Sequence, residues 1–142
     1  MTGQRVASAV VFLCGLAVLA LAAWLEPDGR GIGTHEQLGL GTCTFLWLSG
    51  WPCPMCGGTT SWALMAEGRV LEALVTQPFG VLLFALLLAL MGVAGAEAVR
   101  PAGRWDRTLA WVDARGVGLS IFFLVGMFVG WTFKIATVVG IF

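Results

Sequence analysis

The sequence predicts an all-α integral membrane protein: three transmembrane helices and one short re-entrant or interfacial helix carrying a Cys-Pro-x-Cys-Gly turn. Three observations lead there. Of the 142 residues, 58% are hydrophobic and 11% charged, against about 45–50% and about 25% in ordinary globular chains. The apolar residues gather into long uncharged runs. The one apolar stretch that carries several cysteines is broken by prolines and glycines. Lys and Arg total 8, as do Asp and Glu, so no basic excess exists to grip a phosphate backbone, which argues against nucleic acid as a partner. A single membrane domain, residues 1–142, is expected, with no separate soluble enzyme domain.

The first span covers residues 6–25, an uncharged run flanked by Arg5 and ended by Glu26-Pro27-Asp28-Gly29. Twenty helical residues at about 1.5 Å each reach about 30 Å, the thickness of a bilayer core. Ala20-Leu21-Ala22 has the look of a small-residue cleavage site, which makes a removed leader the rival reading of this run. The second span covers residues 79–96. Pro78 stands at its start, where a missing N–H costs nothing. The third covers about 117–136, with Lys134 expected to snorkel to the interface beside Trp131.

The segment His35 to Gln77 lies between the first two spans. Its apolar part is interrupted by Ser49-Gly50-Trp51-Pro52 and by Gly57-Gly58. A loop, a tight turn and a short helix over about 60–66 are expected, with Thr59 or Thr60 as N-cap and Gly68 as C-cap. Irregular backbone at membrane depth survives only when buried in protein or facing water. Arg69 and Glu72 stand at i, i+3 and should pair.

Arginine placement sets the expected topology. Arg100, Arg104, Arg107 and Arg115 crowd the connection between spans two and three, whereas residues 26–78 hold only Arg30 and Arg69. With three spans, Arg5 falls on the arginine-rich side, which the positive-inside rule assigns to the cytoplasm. The cysteine segment then faces outward. A fourth span would part Arg5 from the other arginines. Trp24, Trp47, Trp51 and Trp131 fall near the outer interface and Trp105 and Trp111 near the inner one, as an aromatic belt requires.

Four cysteines occur. Cys14 lies within the first span and reads as a small hydrophobe. Cys53-Pro54-Met55-Cys56-Gly57 differs, because thiols at this spacing can close a disulfide or grip a metal ion. The same form appears in the metal knuckles of rubredoxins and zinc ribbons, where glycine after the second cysteine permits positive φ. Cys43 can supply a third ligand and His35, the only imidazole, a fourth. Cys43, Cys53 and Cys56 are therefore metal candidates with His35, zinc being one ion such a set can take, and equally disulfide candidates on an outer face where bridges persist. As a redox set, Cys53 would attack and Cys56 or Cys43 would resolve.

The stretch from Cys53-Pro54-Met55-Cys56-Gly57-Gly58-Thr59-Thr60 through the short helix to Gln77-Pro78 resembles a family of small bacterial membrane proteins of unknown function. That family is marked by a C-P-x-C-G-x-T-R box, an earlier cysteine matched by Cys43, and an Asn-Pro pair where Gln77-Pro78 stands. The resemblance extends from Cys43 to about Ala96. It departs at Thr60, where the family carries arginine, so that arginine's role has no counterpart in this chain. The resemblance implies a bacterial inner-membrane protein and names no activity.

Gly126 and Gly130 form G-x-x-x-G in span three, and Gly92 and Ala96 a similar pair in span two; such residues let helices approach, within one chain or across an oligomer. No hydrolase site, phosphate loop or dinucleotide fingerprint is present. The leading expectation is a non-catalytic membrane subunit or interaction protein, partnered by lipid and by a membrane protein or a second copy, with its cysteine turn closed by a disulfide or metal. A membrane thiol–disulfide exchanger and a zinc-like metal-binding module are the alternatives.

Overall fold

The computed structural model describes residues 2–138. The expected domain of residues 1–142 thus extends past them at both ends, and the closing residues 139–142 lie outside. The described residues form seven α-helices and no strand: α1 Thr2–Trp24, α2 Thr44–Ser49, α3 Gly58–Ala66, α4 Val70–Thr76, α5 Pro78–Val99, α6 Arg104–Ala114 and α7 Gly116–Val138, with a 3-10 helix at Thr34–Leu38. Three of them, α1, α5 and α7, are long and apolar enough to cross a membrane. Helices α5 and α7 run past the expected bounds at both ends, while α1 starts earlier than expected and ends at Trp24, one residue short. Helix α5 continues to Val99 and stops before Arg100-Pro101, since a residue preceding proline is pushed out of the helical region.

Helices α1 and α5 pack antiparallel through small residues. A Cβ at Gly95 would meet the Phe12 ring at 3.1 Å, and Gly15 lies under Met91. Helix α7 joins α5 where Gly126 and Gly130 pass Phe79, whose ring stands edge-on to Phe123 at 6.5 Å. The expected close approach of Gly126 and Gly130 is therefore a contact within the chain. Gly92 and Ala96 are exposed on α5, and nothing lies within 4 Å of a Cβ at Gly92. Val117, Ile121, Leu124, Val125, Phe128 and Val129 of α7 are all more than half exposed, a surface suited to lipid or another helix.

The two ends of the bundle differ in chemistry. At one end the start of α1 meets α6 and the end of α5: Gln4 donates to Asp106 at 2.7 Å and Arg5 to the carbonyls of Ala98 and Val99. The arginine-rich connection, expected as a plain loop, forms α6. Glu97 is 1% exposed and accepts N–H bonds from Ala102, Gly103 and Arg104, satisfying the free donors at the start of α6. The Arg115 guanidinium lies over the Trp111 ring.

The cysteine segment sits at the other end. Helix α3 begins at Gly58, with Gly57 at φ 87° before it. Neither Thr59 nor Thr60 caps it, which corrects the expected boundary. Thr60 is buried and its hydroxyl is taken by Thr34 at 2.8 Å. The C-terminal expectation holds in substance. Gly68, at φ 78°, follows Glu67, with Gly68 N–H bonded to Met65 O and Arg69 N–H to Leu64 O, the reciprocal pair of a Schellman ending. Arg69 pairs with Glu72 as the i, i+3 spacing predicts, at 2.6 Å, and also with Glu67.

Candidate metal centre

The thiol cluster is assembled from two separated pieces of chain. Cys43 is the residue before α2. Cys53 and Cys56 flank a tight turn closed by Cys56 N–H to Cys53 O at 3.0 Å and Gly58 N–H to Met55 O at 2.9 Å. Proline at 52 and 54 restricts the backbone on both sides of Cys53. The turn delivers Cys56 to the start of α3 and aims the Cys53 N–H at the Cys56 sulfur, 3.1 Å away. The sulfurs of Cys43, Cys53 and Cys56 all lie within 4.8 Å of one another. They are unbridged, Cys56 buried and the other two half-buried.

Side chains on and just before the long helices hold this turn and the loops beside it. Trp131 of α7 donates its indole N–H to Pro52 O at 2.7 Å. Gln77, fully buried before α5, donates its amide to Pro54 O at 2.9 Å. Lys134 is 3% exposed and donates to Gly31 O at 2.8 Å and Thr76 O at 3.1 Å. The expectation that Lys134 snorkels outward is therefore corrected. Two carbonyls, one of them at the end of α4, lack partners there, and the ammonium satisfies both. Thr34 fixes the loop above by accepting Asp28 N–H and meeting Thr60.

Electrostatics separate the thiols. Burial pushes the Cys56 thiol up to about 12, helped by its hydrogen bond with Cys53. At Cys43 burial acts the same way, but bonds from the Leu46 backbone, from the Cys53 and Cys56 thiols and from the Phe45 backbone outweigh it, and this thiol lies below the ordinary cysteine value.

A cavity of about 520 Å³ opens beside the sulfurs, walled by apolar residues such as Leu21, Leu25 and Trp62 and by all three cysteines. His35, on the 3-10 helix, lines the same cavity but lies outside the close set of donor atoms, which is the three sulfurs alone. Cys14 is exposed on α1 and takes no part. Three soft donors on one point suit a tetrahedral thiophilic ion, for which they supply three of four ligands.

Gln77 and Trp131 were not anticipated as holders of the turn, nor Lys134 as the tie between Gly31 and the end of α4. The signal for Gln77 was its place before Pro78. Trp131 and Lys134 carried a signal only jointly, as two polar-headed side chains three residues apart on an otherwise apolar helix.

Residues 43–91 are similar to the family described as Protein of unknown function (DUF2752). The matched stretch opens on Cys43, contains the whole cysteine turn, α3 and α4, and ends within α5. No curated protein and no solved structure matches the chain.

Proposed function

We propose that the chain is a small bacterial inner-membrane subunit that binds one thiophilic divalent ion, zinc being the natural choice, through Cys43, Cys53 and Cys56. The ion is structural: it closes the cysteine turn and presents the outer end of the bundle to a membrane partner or a second copy, with no catalysis of its own. The observation that carries this reading is the convergence of three sulfurs from two segments to within 4.8 Å of one another. A disulfide needs two thiols and leaves the third idle, whereas a metal ion uses all three. The fourth ligand comes from the cavity side, as water, His35 or a partner's donor.

The orientation rests on the arginines. Arg5 and the cluster around α6 share one end, which favours the cytoplasm under the positive-inside rule. The cysteine end then faces outward, with α3 lying at the outer interface or dipping into it.

The test uses the full chain purified in detergent, with elemental analysis and intact mass before and after alkylation. About one metal ion per chain is expected, with Cys14 alkylated and the other three protected, and with metal lost in Cys53→Ser. A metal-free protein lighter by two hydrogens, or turnover of a dithiol substrate by the purified chain, would sink the metal reading in favour of a staple or an exchanger.

A further inference from the structure

Among the described residues Lys134 is a buried cation without an acidic partner: no carboxylate stands within ion-pair distance of it. Its two carbonyl acceptors satisfy two of three N–H groups and bring no net charge. A buried ammonium in that state is costly unless an anion faces it. The ammonium lies against the cysteine turn: a Cβ at Gly57, the residue after Cys56, would sit 3.1 Å from the Lys134 nitrogen and 2.6 Å from Gly31 O. The ammonium thus stands beside the residue that follows Cys56, at the edge of the thiol set. Three thiolates around one divalent ion carry one net negative charge, the complement of a single ammonium.

We propose that Lys134 is the counter-charge of the three-thiolate centre, so that metal occupancy and the docking of α7 onto the cysteine end are coupled. This rests on the metal reading above and adds a positioning residue and a consequence to it. The metal-loaded turn holds the ammonium, and the ammonium pins α7 to Gly31 and to the end of α4. Span three, whose remaining surface is largely exposed, is thereby fastened at its outer end by a counter-charge that metal binding fixes in place. The small residue at Gly57 is what lets the lysine approach.

The experiment compares the full chain in detergent with Lys134→Met and Lys134→Arg, by zinc competition against a chromophoric chelator and by Tm with and without zinc. The wild type should bind zinc. Lys134→Met should lose on the order of tenfold or more in affinity, the range of outer-shell changes at metal sites, and show a smaller zinc-induced rise in Tm. Lys134→Arg, which keeps the charge, should retain most of both. Equal zinc affinity in wild type and Lys134→Met, or equal loss in Met and Arg, would overturn the proposal while leaving the metal site standing. A wild type that binds no zinc overturns both. Hydrogen exchange of residues 126–138 in the wild type needs no variant: zinc should slow it, and exchange indifferent to zinc would remove the coupling.

Discussion

Trp131 donates its indole N–H to the Pro52 carbonyl at 2.7 Å, joining positions 79 residues apart in sequence. The third long helix thereby holds the residue that leads into Cys53. The same ring meets Phe45 and Phe128 edge-on or tilted, with centroids 6.4 and 6.1 Å away. Trp131→Phe keeps much of that packing and removes the bond. Pro52 is fully buried, so its carbonyl is left without a donor, at a cost of about 1–3 kcal/mol. Tm should fall accordingly, and Cys53 should become faster to alkylate. An unchanged Cys53 rate with a lowered Tm would separate the tryptophan from the site.

Two left-handed glycines flank α3, and they differ in what surrounds them. Gly68, at φ 78°, has nothing within 4 Å of an added Cβ, whereas at Gly57, φ 87°, a Cβ would meet Gly31 O at 2.6 Å. Gly68→Ala should cost only the conformational penalty, about 1–2 kcal/mol, with metal content intact. Gly57→Ala adds a clash with backbone that cannot swing aside, so it should cost more and also reduce bound metal. Elemental analysis of both variants beside their Tm values decides this. Equal metal loss in the two would mean that the clash is relieved by movement elsewhere.

The three long apolar helices were legible in the sequence because uncharged runs of this length have one good solution in lipid. The thiols were legible as a set because Cys43 and the C-x-x-C turn share one short segment. The connection in front of α7 was harder. In sequence its arginines signal only orientation, yet α6 depends on Glu97 reaching past Pro101 to three backbone N–H groups, a contact no periodicity announces. The holders of the turn were hidden for a related reason. Lys134 at the end of an apolar helix has a generic explanation in snorkelling, and only the fold shows that two unpaired carbonyls lie within its reach. Thr60, where the resemblance leads one to expect arginine, reads in sequence only as the loss of that side chain's role. In space it is a buried hydroxyl matched to Thr34.

Small residues in α5 and α7 make a further contrast. A Cβ at Gly130 would stand 2.8 Å from the Phe79 Cβ and 3.2 Å from the Gln77 side-chain oxygen, whereas Gly92 is open. Gly130→Ala should destabilise by about 1–3 kcal/mol through overpacking and disturb Gln77, which holds Pro54. Gly92→Ala should leave the monomer unchanged or slightly more stable, since alanine is the better helix former. Thermal unfolding in detergent measures both. A destabilised Gly92→Ala would place that face in a contact between copies, which cross-linking would then detect.

The thiols should separate by pH once metal is stripped by a chelator. A thiol reacts as its thiolate. Cys43, held below the ordinary cysteine value by its hydrogen bonds, should be alkylated first as pH rises. Cys56, pushed up to about 12 by burial, should be last. The sign of the stability effect follows. A raised value means that the folded state favours the protonated thiol, so the contribution of Cys56 is full below the ordinary value of 9.0 and is lost as pH climbs from there toward about 12. With metal present the direction reverses over neutral pH, because binding releases thiol protons and affinity grows as pH rises. Alkylation rates of Cys43 and Cys56 resolved by mass spectrometry, with and without zinc, check both halves. Equal rates in the stripped protein would mean that the two sulfurs share one environment, contrary to their burial and partners here.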